Sequence, residues 1–102
     1  YRLARSRDLW RRRVAIIATF HFIRLDQFDD TLALAERLLG DREDLIHKAV
    51  GWMLREVGNR DRALAERFLI TWQNEMPRTM LRYAIERFPK ARRRAYLAGT
   101  AK

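Results

Sequence analysis

The stretch DREDLIHKAVGWMLREVG, residues 41–58, decides the fold of this chain. Acids crowd its start and Gly58 closes it, an order that suits the dipole of a helix running from one to the other. Gly51 stands in the middle, where it costs a helix about 1 kcal/mol relative to Ala. A glycine there lets a neighbouring helix, or the backbone of a ligand, come close. The block around it, Lys48-Ala49-Val50-Gly51, has counterparts in Arg13-Val14-Ala15-Ile16 and Arg82-Tyr83-Ala84-Ile85, at offsets of 35 and 34 residues. Each block opens with a cation and continues with small or apolar residues.

The flanking segments read as helices too. RDLWRRRVAIIATFHFIRL spaces Leu9, Ile16, Phe20 and Ile23 three to four apart, with Asp8 or Ser6 as N-cap. DQFDDTLALAERLLG puts Phe28, Leu32, Ala35 and Leu39 on one face and ends at Gly40, a C-cap residue. DRALAERFLITWQNEM is expected to bury Ala65, Phe68, Leu69 and Trp72. PRTMLRYAIERF starts with Pro77 near its first turn and stops before Pro89, and KARRRAYLAG ends at Gly99. No segment alternates with period two. The expectation is an all-α fold of about six helices. They would form an α-α superhelix of antiparallel hairpins with HEAT-like or armadillo-like repeats over residues 6–40, 41–75 and 77–99 of one domain. A compact six-helix bundle is the alternative. In a solenoid, Arg13, Lys48 and Arg82 would fall in one row, spaced by about one helix diameter of 10 Å.

The 102 residues suffice for one small core, and 48% hydrophobic content excludes a disordered tail. Cysteine is absent, which excludes disulfides, thiolate metal sites and cysteine nucleophiles and fits a reducing cytoplasm. The longest uncharged stretch, VAIIATFHFI, is too short to span a bilayer. The net charge of +9 sits at the ends. Residues 1–13 carry six arginines against Asp8, and residues 77–102 carry eight basic residues against Glu86, whereas residues 14–76 carry eight basic and eleven acidic ones. Such a distribution suits a polyanionic partner, nucleic acid among them. The plain alternative is an arginine-rich solvated surface.

LWRRRVAII (residues 9–17) and HKAVGWMLREVG (residues 47–58) resemble the C-terminal half of the HEAT-like-repeat DNA glycosylases, the AlkD-like DNA alkylation repair family. MPRTMLRYAIERFP followed by RRRAYL fits the closing helix pair of that family. The resemblance implies a monofunctional enzyme that hydrolyses the N-glycosidic bond of cationic alkylpurines such as 3-methyladenine and 7-methylguanine in duplex DNA, with no metal and no cofactor. The departing base already carries positive charge, so stabilising an oxocarbenium-like sugar does most of the work, through a carboxylate and aromatic faces. By the same resemblance Arg13 matches the active-site arginine beside the lesion, and Trp52 an aromatic that packs on its deoxyribose. Arg55, one turn after Trp52, is a weaker match to a phosphate contact. Nothing here matches the family's catalytic Asp or the Trp shortly before it. The expectation is a fragment of a longer glycosylase, inactive alone, with an exposed repeat end through which it could form a homodimer. A start at Tyr1 rather than Met agrees with that.

Arg13 has a competing reading as a structural arginine, stacked on Trp10 or paired with an acid of the next helix, and Trp52 as a core residue of the kind expected for Trp10 and Trp72. Arg12, Lys48, Arg82 and the Arg92-Arg93-Arg94 run are candidate phosphate contacts, with solvated charge as the alternative, and Arg11 reads as solvated. His21 and His47 lack partners at metal-ligand spacing. Asp26, Asp29 and Asp30 read as helix-start acids, since the glycine of a calcium loop is missing. The rival function is a non-catalytic HEAT-like module that binds nucleic acid or an acidic protein partner.

Overall fold

A computed structural model describes residues 7–102. Ser6, and Arg2 and Arg5 of the basic start, lie outside the described residues. The helices are α1 (Leu9–Ala18), α2 (Phe20–Ile23), α3 (Asp29–Leu38), α4 (Asp44–Arg60), α5 (Arg62–Trp72), α6 (Arg78–Ala84) and α7 (Lys90–Leu97), and no strand occurs among the described residues. The fold is an all-α helical repeat. Helix α2 continues α1 after a break at Thr19. The Thr19 hydroxyl donates to the Ile16 carbonyl at 2.6 Å, a local bond that bends helices.

Local chemistry marks several of the helix ends. The Asp8 carboxylate accepts from the Trp10 amide at 2.8 Å and caps α1. Asp61 does the same for α5, accepting from the Leu64 amide at 3.1 Å. Pro77 and Pro89 stand just before α6 and α7, where the missing N–H costs nothing. Gly99, at φ +74°, closes α7 in a Schellman motif, with its own amide on the Tyr96 carbonyl and the Thr100 amide on the Ala95 carbonyl.

Several boundaries differ from the sequence expectation, among them the ends of α5 at Trp72 and of α6 at Ala84, short of Met76 and Phe88. Helix α4 runs through Gly58 to Arg60, because Asp61 breaks the chain there and caps α5. Helix α3 is capped at Leu39 and Gly40 keeps a negative φ, so no left-handed glycine is needed. Asp29 and Asp30 do open α3, but Asp26 lies earlier, in the turn after α2, at φ +58°. Asp is among the few side chains that tolerate that conformation, and Arg60 pairs with its carboxylate at 3.3 Å.

Helix α4 is the axis of the molecule. It packs against α1, α2, α3, α5 and, over the widest surface, α6. Seven of its residues are buried: Ile46, Ala49, Val50, Gly51, Met53, Leu54 and Val57. Helices α1, α4 and α6 lie side by side, while α3 packs on α1 and α4, α5 on α4, and α7 on α6. The smallest extent of the molecule is 18 Å, which matches two layers of helices at about 8–10 Å between axes. Gly51 is the reason α6 can sit so close. A Cβ placed there would meet the Met80 carbonyl oxygen and the Tyr83 Cβ, each at 2.5 Å. The close partner of Gly51 is therefore a helix, not a ligand.

Two large side chains stand elsewhere than expected. Trp10 is 60% exposed and Val14 55% exposed, so the face of α1 that carries them is uncovered and Trp10 is not a core residue. Periodicity gives the face, but not whether anything packs on it. Trp72 is half-buried against the core, as is Phe68, and Ala65 and Leu69 are fully buried.

Candidate nucleic-acid interface

The packing of α1, α4 and α6 leaves a groove of about 240 Å³ on one side of the row, lined by Arg13, Leu45, Lys48, Ala49, Trp52, Arg55 and Tyr83. Helix α4 supplies most of it through Leu45, Lys48, Ala49, Trp52 and Arg55, which recur every three to four residues and so share a face. Arg13 comes from α1 and Tyr83 from α6. Thus Arg13, Lys48, Trp52 and Arg55, four of the residues singled out in the sequence, line a single surface. None of the seven lining residues is acidic, although two of its three cations, Lys48 and Arg55, pair with carboxylates of neighbouring residues.

Each of the four has a distinct setting. The Arg13 guanidinium lies 6.0 Å from the centre of the Trp10 ring, at the outer reach of a cation–π contact. The Lys48 ammonium sits 3.3 Å from the Asp44 carboxylate, one turn back and exposed. Trp52 is half-buried. Its ring centre is 6.0 Å from that of Phe20, and its indole N–H donates to Glu56 at 3.3 Å. Trp52 thus packs against the core and also lines the groove. Arg55 pairs with Glu86, in the turn after α6, while its own Nε is buried without a hydrogen-bond partner.

The sequence matches the family model for DNA alkylation repair enzymes over residues 1–88. The chain belongs to that family. Membership indicates DNA as the partner and repair of alkylated DNA as the setting. No curated protein and no solved structure matches the chain. The matched residues span α1 to α6, and α7 follows them.

In this DNA alkylation repair chain the arginine runs divide. The Arg12 Nε donates to Asp41 at 2.8 Å, in a pair whose side chains are only 15% and 8% exposed. Arg12 therefore ties α1 to the start of α4, away from the groove that Arg13 lines. A helix turns about 100° per residue, so adjacent arginines cannot share a face. Asp41 has further duties there. Its carboxylate accepts from the Glu43 amide at 2.9 Å, and its carbonyl is 2.5 Å from the His47 ring, which gives His47 a structural place.

The second run behaves the same way. Arg92 turns to Glu66 of α5, 2.5 Å away, and Tyr96 donates to the same carboxylate oxygen at 2.6 Å. Burial opposes the charge on Glu66, but the bonds from Tyr96 and Arg92 outweigh it and hold the carboxyl below its usual value. Arg92 is held above its own, chiefly by the bond to Glu66. The Tyr96 hydroxyl is pushed up, first by burial and then by Glu66. Arg92 thus fastens α7 to α5. Arg82, Arg93 and Arg94 lie together elsewhere, in a cleft between α6 and α7. Neither Arg12 nor Arg92 had a sequence signal for its partner, since Asp41 and Glu66 are 29 and 26 residues away.

Among the described residues no group of three or more His, Asp or Glu is placed to hold a metal ion, and no helix is long and apolar enough to cross a membrane.

Proposed function

We propose that this chain is the DNA-holding part of an alkylpurine DNA glycosylase. The supporting observation is the convergence of Arg13, Lys48, Trp52 and Arg55 on one groove that no carboxylate lines. Arg13 and Lys48 would neutralise phosphates on either side of a lesion such as 3-methyladenine or 7-methylguanine. The exposed part of Trp52 would lie against the apolar face of the deoxyribose. When the glycosidic bond breaks, the purine leaves with the bonding electron pair, and its existing positive charge removes the need for a strong acid. The sugar is left cationic. The Trp52 face gives it some stabilisation, and a carboxylate from outside this groove would give the rest. Without one the chain would bind DNA and release base very slowly.

The experiment compares wild type with Arg13→Ala/Lys48→Ala on unmodified and methylated duplexes, and follows release of 7-methylguanine in the intact protein. The expected result is weaker binding with a shallower salt dependence, together with reduced release. Unchanged release would remove the proposed role of the groove. The absence of a carboxylate also favours a second reading, a non-catalytic HEAT-like module for nucleic acid. In that case the intact protein would bind methylated DNA and release no base.

A further inference from the structure

The cleft between α6 and α7 has a volume of about 320 Å³ and is lined by Arg82, Ile85, Glu86, Lys90, Arg93, Arg94 and Leu97. On α7, Lys90, Arg93, Arg94 and Leu97 follow the i, i+3, i+4, i+7 spacing of a single helix face. Three of those four positions are cations, and they confront Arg82 across the gap. The side chains of Arg82, Lys90, Arg93 and Arg94 have no hydrogen-bond or ion-pair partner among the described residues. The single acid of the wall, Glu86, is already engaged by Arg55.

Five arginines outside the cleft are paired. Arg12, Arg55, Arg60, Arg62 and Arg92 each meet a carboxylate. Four like charges around one cleft, whose single acid is already paired with Arg55, make a positive field that attracts an anion. The floor between them is aliphatic, made by Ile85 and Leu97. A ligand that fits must therefore offer anionic groups to a rim and C–H surface to a floor. A nucleic-acid strand does this, with phosphates alternating with deoxyribose.

We propose that the α6–α7 cleft is a second binding site for the DNA sugar–phosphate backbone, separate from the α1–α4–α6 groove. Phosphates would sit on Arg82, Lys90, Arg93 and Arg94, and a deoxyribose would lie on the half-buried Leu97. The site rests on the reading of the chain as a DNA-holding module, but it uses a different surface. Half of it is built from α7, which lies beyond the residues matched to the family. The Arg55–Glu86 ion pair connects the two surfaces, since Arg55 lines one and Glu86 the other.

The test measures affinity for a fluorescein-labelled unmodified duplex between about 50 and 200 mM salt. Wild type is compared with Arg93→Ala/Arg94→Ala, with Arg13→Ala/Lys48→Ala, and with Arg24→Ala/Arg67→Ala as a control of equal charge on exposed positions outside both clefts. Circular dichroism confirms that each variant folds. The cleft pair should lower the slope of log affinity against log salt by about 2, at about 0.9 per phosphate released, and the control pair should leave it near wild type. A cleft pair that behaves like the control, while Arg13→Ala/Lys48→Ala still lowers the slope, overturns the second site and leaves the groove intact. A cleft effect beside a silent Arg13→Ala/Lys48→Ala pair supports the second site and removes the groove reading. An effect on neither pair overturns both.

Discussion

Replacing Gly51 by Ala should destabilise the chain although Ala is the better helix former. An added Cβ would stand 2.5 Å from both the Met80 carbonyl oxygen and the Tyr83 Cβ, against an ordinary contact of 3.4–4 Å. Neither neighbour is the free end of a flexible side chain, so α6 must move away by about 1 Å along that line, a shift that loosens its packing on α4. Overpacking of this kind costs about 3 kcal/mol at the upper end of its usual range, and the helix gains about 1 kcal/mol from losing a glycine. The net loss is about 2 kcal/mol, or about 8–16 °C in Tm for a domain of this size. Gly58 is the internal control. It lies in the same helix, and a Cβ there would meet Ala65 Cβ at 3.5 Å and Phe88 Cε1 at 3.7 Å, both ordinary contacts. Gly58→Ala should therefore stabilise by about 0.5–1 kcal/mol. Thermal and urea unfolding followed by circular dichroism would measure both variants side by side. If Gly51→Ala raises Tm as Gly58→Ala does, α6 does not lie against α4 in the manner described. Because α6 carries Tyr83 of the groove and Arg82 of the cleft, Gly51→Ala should also weaken DNA binding, whereas Gly58→Ala should not.

Glu86→Gln should strengthen binding to duplex DNA and steepen its salt dependence by about one phosphate, because it frees Arg55 and removes the one acid of the cleft wall; weaker binding would show that the ion pair is needed to aim Arg55. The Glu66 carboxyl is held below its unfolded value, so its contribution to stability is complete above the ordinary carboxylate range and is lost as pH falls through the lowered folded value. Denaturant titrations should show Glu66→Gln less stable than wild type at neutral pH and the gap closing in acid, and a gap that persists unchanged at low pH would mean that the lost contact is not ionic. Tyr96 shifts upward, so its share is complete below an ordinary tyrosine value of 10.0 and is lost as pH rises through the higher folded value. Tyr96→Phe should accordingly remove an alkaline loss of stability that wild type shows. Trp10→Ser should change stability by less than about 0.5 kcal/mol, since the ring is mostly exposed, whereas Met53→Ala should cost about 2–5 kcal/mol; a large loss from Trp10→Ser would mean that the outer face of α1 is covered in solution.

The helical content was legible because local chemistry fixes it. Asp8, Asp61, Pro77, Pro89 and Gly99 all mark helix ends, each by supplying or removing a backbone partner within a few residues. The block repeated at Arg13, Lys48 and Arg82 belongs to α1, α4 and α6, which pack side by side. What stayed hidden depended on distant residues. Gly58 reads as a stop until one sees that Asp61 supplies the break and that Ala65 and Phe88 pack near a bare Cα. Thr19 gave no warning of the bend between α1 and α2, because a hydroxyl-to-carbonyl bond competes with a helix only in some settings. The two arginine runs look uniform in sequence. Asp41 and Glu66 each draw one member inward, and neither can be assigned before the chain is folded. Tyr83 carried no signal as a groove residue. Its place follows from the close approach that Gly51 permits.

The central position of α4 also decides how the molecule comes apart. In a long array each repeat touches only its neighbours, and stretches can open independently. Here one helix touches α1, α2, α3, α5 and α6 at once, so none of these contacts can be lost without exposing part of its surface. Amides along α4 should exchange with solvent deuterium only through global unfolding, and therefore last. Those of α7, which packs on α6 and is fastened to α5 through Glu66, can exchange by a smaller opening. Opening is thus expected to begin at α7 and to reach the strut of the molecule, α4, last.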